Sequence, residues 1–253
     1  MASPTLGEWL REEPFGLTLS AGFFGFYAHT GFALALEEAG LVPNRHSGSS
    51  AGALVSAFLA AGRAASALRP LLGDLRRDDF WDPSPGFGLL RGDRFRALLE
   101  RELPSRDFSD CARPLAVSAF DVRALKTRVI SEGLIAPAVH ASCVFPGLFH
   151  PVMLEGRPHI DGGVLDRSGL AGMPDGGRVL YHHLSTRSRI RRHIPLLSLY
   201  PPRPDLVPVV LQGLPRSGPT RLEVGPAAMD AAYRSTRAAL ARTLPRAGAA
   251  VIA

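Results

Sequence analysis

The segment that most constrains this chain is Gly48-Ser49-Ser50-Ala51-Gly52, between a predicted strand at residues 42–47 and a predicted helix at residues 51–61. A G-x-S-x-G at a tight strand-to-helix turn holds a serine in strained geometry, beside helix N–H groups suited to an oxyanion. On this pattern Ser50 is a candidate nucleophile, and Ser49 fills the variable position. A plain Gly/Ser-rich turn that caps a helix explains the same residues, and both interpretations stay open at this point.

The segments around this turn predict an α/β protein. A short apolar strand at residues 17–20 and a helical pattern at residues 30–39 precede it, and such a strand–helix–strand–helix order is typical of a parallel sheet. Further predicted elements are helices at 64–76, 93–103, 135–142 and 227–244, and strands at 115–121, 127–131, 152–154, 159–160, 179–183 and 196–199. Since no repeat or separating linker is visible, one domain over residues 1–253 is expected.

Composition excludes several classes of protein. With 253 residues, of which 46% are hydrophobic and 21% charged, the chain can build one sizeable core and lacks the signature of disorder. Cys111 and Cys143 show no metal-ligand spacing and predict reduced thiols in a cytoplasmic protein. The N-terminal residues do not read as a secretory signal, and no uncharged stretch is long enough to span a bilayer.

The charge balance is basic, with a net charge of +6. Arginine supplies 28 of the 29 cationic residues, and Lys126 is the only lysine. Such a surplus fits a nucleic-acid partner, an anionic membrane, or a genome that favours arginine codons. The densest basic run predicts a solvated loop or peripheral contact with anionic headgroups, and consists of Arg187, Arg189, Arg191, Arg192 and His193. Because no binding motif or interleaved aromatic residue accompanies it, we expect no nucleic-acid partner.

Two further segments carry groups that a nucleophilic serine requires. In His159-Ile160-Asp161-Gly162-Gly163, the glycines allow a close backbone approach that presents Asp161, although this segment taken alone favours a plain Asp-Gly turn. In Ser20-Ala21-Gly22-Phe23-Phe24-Gly25, a strand-end loop offers backbone N–H groups to an anion. A Ser–His–acid triad also stays open on residue inventory, but the serine turn comes early for an α/β-hydrolase. The downstream candidates for its histidine are His182, His183 and His193.

Together these segments resemble the patatin-like phospholipase family. The similarity runs through residues 17–41, 46–62, 138–152 and 161–164, and includes the block Ala141-Ser142-Cys143-Val144-Phe145-Pro146-Gly147. This resemblance implies a three-layer α/β fold with a mostly parallel central sheet flanked by helices. It also implies a lipid acyl hydrolase with a Ser–Asp dyad and no catalytic histidine.

The resemblance further implies the role of each site residue. Ser50 is then the nucleophile that carries the acyl group, and Asp161 is its direct base. The oxyanion hole is expected from backbone N–H groups of the loop and the helix start, at Gly22, Phe23, Phe24 and Ala51. The substrate is a lipid or other acyl ester, and no metal, nucleotide or calcium cofactor is expected.

The sequence departs from the family pattern at two places. The family loop reads Gly-Gly-Gly-x-Arg/Lys-Gly, whereas here Gly25 falls on the basic position. After Val164 the usual Asn-x-Pro is missing, and Arg167 and Gly169 stand there. A catalytically impaired homologue that binds lipid or a partner protein is therefore a second hypothesis. An arginine-rich nucleic-acid-binding protein is a third.

Two aromatic clusters admit a core or a lipid-binding role. The first follows the Gly-rich loop, and either lines an acyl pocket or packs in the core: Phe23, Phe24, Phe26 and Tyr27. The second lies in the Pro/Gly-rich loop at residues 77–92, and either forms a lipid-facing lid or packs in the core: Phe80, Trp81, Phe87, Leu89 and Leu90.

Overall fold

A computed structural model describes residues 3–184, 203–245 and 249–253 of the chain. The helices in these ranges are α1 (Leu6–Glu12), α2 (Phe26–Glu38), α3 (Ala51–Ala60), α4 (Ala65–Gly73), α5 (Asp93–Glu102), α6 (Ile135–Cys143) and α7 (Gly225–Leu240). The strands are β1 (Phe15–Leu19), β2 (Arg45–Ser49), β3 (Gly88–Leu90), β4 (Leu115–Asp121), β5 (Lys126–Ile130), β6 (Gly147–Phe149), β7 (Val152–Leu154), β8 (Arg157–Asp161), β9 (Arg178–Leu184), β10 (Leu206–Leu211) and β11 (Val251–Ile252).

Among the described residues, nine strands form one sheet in the order β11-β10-β9-β1-β2-β4-β8-β7, with β5 also paired to β4. Every pairing from β11 to β4 is parallel, whereas β4–β5, β4–β8 and β7–β8 are antiparallel. β3 and β6 form a separate parallel pair. The prediction of an α/β fold with a mostly parallel central sheet is confirmed.

The two faces of the sheet are covered differently. Leu17 and Leu19 of β1 lie in the main core with side chains of the packed helices, such as Phe32 of α2. Thr18, between them, faces the opposite side of the sheet, where its hydroxyl donates to the carbonyl of Ser168. A smaller apolar cluster fills that second face, made of Leu170, Met173, Val179, Tyr181 and Leu206. The sheet is therefore the middle of three layers.

Strand register brings two chain segments together at the carboxyl end of β2. β5 covers one edge of β4 from Val117 to Asp121. Along the other edge, Ser49 of β2 pairs with Ser118, and Asp161 of β8 pairs with Ala119, the next residue of β4. Because β2 and β8 approach each other end to end along β4, the residues at their carboxyl ends must be neighbours.

Four of the elements that were not predicted have identifiable signals or obstacles. α1 begins at a Thr5–Glu8 capping box, a pattern that is readable in the sequence. β10 contains Pro208, which argues against an interior strand because proline cannot donate to a ladder, yet β10 lies between β9 and β11. β6 and β3 are too short for a periodic pattern. The strand predicted at residues 196–199 lies outside the described residues.

In the described part of the chain, no helix combines the length and the apolar character needed to cross a membrane.

The loop predicted at residues 77–92 is partly structured, because it holds a 3₁₀ turn, Arg77–Asp79, and strand β3. α2 starts earlier than predicted, directly after the Gly-rich loop, which places that loop at a helix N-terminus.

Candidate active site

Ser50 occupies a strained turn between β2 and α3. Its φ of 52° and ψ of −123° lie in a region that non-glycine residues rarely adopt, at a cost of about 1–3 kcal/mol. Two glycines make the turn sterically accessible: a Cβ on Gly48 would lie 2.4 Å from the carbonyl carbon of Gly52, and a Cβ on Gly52 would lie 2.0 Å from the Leu19 oxygen. The turn is therefore more than a helix cap, and Ser50 makes no side-chain capping bond.

Asp161 is the side chain that meets Ser50. The Ser50 hydroxyl donates to Asp161 Oδ2 at 2.6 Å, and the N–H of Gly163 donates to Asp161 Oδ1 at 2.8 Å. The main-chain N–H of Asp161 donates in turn to the carbonyl of Val144 at 2.9 Å. Both carboxylate oxygens are thus held, and one of them faces the serine.

Burial changes the acidity of Asp161. The side chain is 7% exposed, and desolvation raises its pKa from 3.8 to about 6, against the opposing effect of the hydrogen bonds from Ser50 and Gly163. A carboxylate with this pKa is ionised at neutral pH and is a stronger base than an exposed aspartate.

The downstream histidines lie elsewhere. His182 Nδ1 is 2.9 Å from His29 Nδ1, and the His182 ring stacks on Phe32 with centroids 4.1 Å apart. His183 Nδ1 bonds the Tyr181 hydroxyl at 2.7 Å. Burial lowers the pKa of His182 and His183, so both rings are neutral. His193 lies outside the described residues.

The predicted oxyanion residues surround the same cavity as Ser50. Gly22, Phe23, Phe24 and Ala51 all line it. The loop is closed by a turn in which the N–H of Gly25 donates to the Gly22 carbonyl at 2.8 Å. Within the ranges that the structure describes, the N–H groups of Gly22, Phe23 and Phe24 meet no hydrogen-bond acceptor. These three N–H groups are therefore unused by the protein in the described ranges.

The altered loop sequence has a steric cause. Leu184, the last residue of β9, packs its side chain against the loop, so a Cβ on Gly25 would lie 2.2 Å from Leu184 Cδ1. The position where the family carries a basic residue is thus occupied by a leucine side chain. Phe24 next to it has a φ of 53°, another strained non-glycine conformation.

The cavity at Ser50 measures about 580 Å³, within the usual size range of ligand pockets. Its polar side chains besides Ser50 and Asp161 are Glu102 and Arg167. The rest of its lining is almost wholly apolar, and includes Phe24, Phe26, Leu54, Phe58, Leu71, Leu72, Leu75, Phe80, Phe95, Leu98, Leu99, Phe145, Leu148, Phe149 and Val164. Such a lining fits an acyl chain.

The two aromatic clusters divide between core and surface. Phe24, Phe26 and Phe80 line the cavity, and Tyr27 is buried in the main core. Phe23 lines the cavity and is also 54% exposed. In the loop at 77–92, Leu90 is buried, Trp81 packs under the Arg77 guanidinium, and Phe87 and Leu89 are exposed. Two apolar side chains of this loop, Phe87 and Leu89, are therefore exposed as a lipid-facing role requires.

Sequence reasoning missed a buried polar network that supports the site. Asp166 accepts hydrogen bonds from the hydroxyls of Ser118 and Ser168 and from the N–H groups of Gly169 and Ala171. Asp166 directly precedes Arg167, which occupies the position of the family asparagine. Its hydrogen bonds fix the segment after Asp161. In the described ranges, no cluster of three or more His, Cys, Asp or Glu residues is arranged to hold a metal ion.

Comparison with known proteins decides the family. The patatin-like phospholipase profile matches residues 17–172, more than half of the chain. This chain belongs to the patatin-like phospholipase family. The match includes every residue of the predicted patatin-like site, from Gly22 to Asp161, and membership supports lipid hydrolysis at the level of the family.

Proteins of the NTE family resemble the chain over part of their length. The uncharacterized NTE family protein Rv1063c of Mycobacterium tuberculosis is 31% identical over 153 residues, 59% of this chain and 42% of its own. Rv2565 of the same organism is 31% identical over 156 residues, 60% of this chain and 26% of its own. The chain thus spans less than half the length of these relatives.

Solved structures confirm the patatin-like fold. VipD of Legionella pneumophila superposes with a TM-score of 0.65 and 17% identity, over 90% of this chain and 67% of its own. ExoU of Pseudomonas aeruginosa, in its complex with SpcU, superposes with a TM-score of 0.50 and 18% identity, over 90% of this chain and 51% of its own. At these identities the likeness concerns the fold alone.

Proposed function

We propose that this chain is a serine hydrolase of lipid acyl esters, with Ser50 as nucleophile and Asp161 as base. The observation that carries the proposal is the 2.6 Å hydrogen bond from Ser50 Oγ to Asp161 Oδ2 beside an apolar cavity. Family membership supports the same reaction class. The substrate is a lipid or other acyl ester, and no residue in the reaction requires a metal or an organic cofactor.

In the acylation step, Ser50 Oγ attacks the ester carbonyl carbon while its proton passes to Asp161 Oδ2. The carbonyl oxygen becomes an oxyanion, and N–H groups of Gly22, Phe23, Phe24 and Ala51 are the proposed donors. Removal of one such donor costs about 3–4 kcal/mol where it has been measured. When the intermediate collapses, the proton on Asp161 moves to the oxygen of the leaving alcohol, and Ser50 keeps the acyl group as an ester.

In the deacylation step, water takes the place of the alcohol. Asp161 removes one proton from the water as its oxygen attacks the acyl carbon, and the same proton returns to Ser50 Oγ when the fatty acid leaves. Since its pKa is about 6, Asp161 is mostly ionised at neutral pH and accepts this proton readily. Direct Ser–Asp contact makes an intervening histidine unnecessary.

The cavity suggests how the substrate lies. Phe23 and Phe145 line it and are 54% and 49% exposed, whereas Phe58 and Leu99 line it and are buried. An acyl chain that enters between the exposed rings therefore passes into the protein interior, with its ester beside Ser50. We propose peripheral contact with a lipid surface at this entrance; the basic run at residues 187–192 lies outside the described residues.

The first experiment is to react the protein with a fluorophosphonate probe and with a medium-chain p-nitrophenyl ester. Ser50→Ala is expected to abolish both reactions, because it removes the attacking oxygen. Ser49→Ala is the matched control: Ser49 is fully buried beside Ser50, and its hydroxyl has no hydrogen-bond partner in the described part of the chain. Full reaction of Ser50→Ala, or loss of reaction in Ser49→Ala alone, contradicts the assignment.

A catalytically impaired homologue is the second candidate, and the crowded loop favours it. Leu184 packs against Gly22 and Gly25, and Phe24 is strained, in a loop whose sequence departs from the family pattern. An absence of fluorophosphonate labelling in the folded wild-type protein supports this candidate.

The single domain over residues 1–253 remains a prediction, which a two-state unfolding transition tests. The cytoplasmic location also remains a prediction, which cell fractionation tests.

A further inference from the structure

Ser142 is a fully buried serine in the last turn of α6, and both of its hydrogen bonds are to main-chain groups of the site. The N–H of Ser50 donates to Ser142 Oγ at 2.8 Å, and Ser142 Oγ donates to the carbonyl of Ser118 at 2.6 Å. A serine hydroxyl has one proton, so the bond to Ser118 leaves lone pairs of Ser142 for the Ser50 N–H. The direction of both bonds is thereby fixed.

The bond from Ser50 to Ser142 acts where the backbone is strained. The φ of 52° at Ser50 persists only because surrounding groups over-determine it, and the Ser142 hydroxyl is one of those groups. The directions of the Ser50 N–H group and of the Ser50 side chain both depend on the φ angle of Ser50. Fixing the N–H therefore also fixes the direction of Oγ toward Asp161. Because the Ser50 N–H already donates to Ser142 Oγ, this N–H is not a donor for the oxyanion.

The same network reaches the segment that carries Asp161. Ser118 uses its hydroxyl to donate to Asp166 Oδ2 at 2.7 Å, five residues beyond Asp161. Gly162 lies directly over the carbonyl of Ser118, because a Cβ there would be 2.0 Å from that oxygen. Hydrogen bonds through Ser142 and Ser118 thus join the main chain of Ser50 to the loop that follows Asp161.

We propose that Ser142 is a positioning residue that holds Ser50 in its strained conformation, and that Ser118 and Asp166 tie this conformation to the Asp161 loop. The proposal rests on the function proposed above and adds to it the group that sets the Ser50–Asp161 geometry. Ser142 itself touches no reacting atom, so its effect is on the rate of attack and not on substrate binding.

Ser142→Ala tests the proposal, with Ser56→Ala as the matched control. Ser56 is also fully buried, and its hydroxyl also donates to a main-chain carbonyl, but that carbonyl belongs to Ser47, at 2.8 Å, and not to the site around Ser50. We expect Ser142→Ala to lower kcat for a soluble p-nitrophenyl ester, and the rate of fluorophosphonate labelling, by roughly 10- to 100-fold with KM unchanged, as expected for misplaced reacting groups. Ser56→Ala is expected to lower the urea midpoint similarly and leave both rates unchanged.

A second set of variants separates positioning from loss of folding. Ser142→Thr keeps the hydroxyl and is therefore expected to label at close to the wild-type rate. Ser118→Ala removes only the hydrogen bond to Asp166, so it is expected to lower the labelling rate less than Ser142→Ala does. If Ser142→Ala folds and labels at the wild-type rate, or if Ser56→Ala slows labelling as much, the proposal is overturned.

Amide hydrogen exchange distinguishes this proposal from the proposed function. In the wild-type protein the Ser50 amide is expected to exchange slowly, and Ser142→Ala is expected to speed its exchange at least about tenfold while Ser56→Ala does not. A wild-type protein that fails to label but shows this difference overturns the hydrolase and retains the positioning role. Equal exchange of the Ser50 amide in all three proteins overturns the positioning role whatever the activity.

Discussion

Replacing Asp161 by asparagine is expected to stop catalysis and to make the protein more stable at alkaline pH. The aspartate is a buried group whose pKa is raised from 3.8 to about 6, chiefly by desolvation. Its ionised form therefore lowers the stability of the folded protein, and the same ionised form is the proposed base. Asparagine has nearly the same shape but neither charge nor basicity, so it removes both effects together.

The size of the stability effect follows from the two pKa values. In the folded chain Asp161 holds its proton to higher pH than in the unfolded chain, so the folded state binds more protons between about pH 4 and pH 6, and the free energy of unfolding falls as pH rises through that window. A pKa difference of about two corresponds to roughly 3 kcal/mol, lost in full above this window.

Asparagine avoids that loss and retains the local hydrogen bonds. Its carboxamide oxygen accepts from the Gly163 N–H, and its NH₂ group donates to Ser50 Oγ, because a serine hydroxyl also accepts. Asp161→Asn is therefore expected to exceed the wild-type protein in free energy of unfolding by about 1–3 kcal/mol near pH 8, and to match it near pH 4.

Urea denaturation followed by tryptophan fluorescence at several pH values measures this difference. Fluorophosphonate labelling of the same samples measures reactivity, which is expected to rise through about pH 6 in the wild-type protein, as Asp161 ionises, and to be lost in Asp161→Asn. An Asp161→Asn protein that is less stable than wild type near pH 8, or a wild-type labelling rate with no ionisation near pH 6, refutes the assignment of Asp161 as a buried general base.

Three further predictions use other parts of the site. Gly52→Ala is expected to destabilise by about 3 kcal/mol or more and to abolish labelling, because its Cβ would lie 2.0 Å from the Leu19 oxygen, whereas Gly73→Ala, with nothing within 4 Å, is expected to be neutral in urea denaturation. His182→Phe removes the partner of a buried His29 nitrogen and is expected to cost about 1–3 kcal/mol without changing the labelling rate, in contrast to a catalytic histidine. Leu54→Trp, which fills part of the cavity, is expected to lower kcat/KM at least about tenfold more for long-chain than for acetyl esters.

The candidate site residues lie in segments whose local patterns can be read from the sequence. Gly48 and Gly52 permit a tight turn, so the local pattern alone made Ser50 a candidate nucleophile, and the family resemblance favoured that role over a plain helix cap. Asp161 was identified from the glycines that follow it and from the family resemblance. Its distance from Ser50, by contrast, depends on how β2 and β8 share an edge of β4, and that register is a property of the whole sheet.

The parts that sequence reasoning missed depend on long-range contacts. Pro208 argues against an interior strand, and only the pairing of β10 with β9 and β11 overrides that local preference. Ser142 was visible as part of the Ala141-Ser142 block, but its role follows from bonds to Ser50 and Ser118, which are 92 and 24 positions away in the chain. Propensity and motif spacing carry no information about such partners.

The departures from the family pattern are explained by one another. Arg167, which replaces the family asparagine, accepts a hydrogen bond at its carbonyl from the N–H of Ala21 and donates from its guanidinium to the carbonyl of Leu184. The Leu184 side chain in turn occupies the space beside Gly22 and Gly25, where the family loop carries its basic residue. Because the loop before Ser50, the segment after Asp161 and the end of β9 contact one another here, a change in one constrains the other two. The positions that lack the family's basic residue and its Asn-x-Pro are therefore packed together beside the Ser50–Asp161 pair.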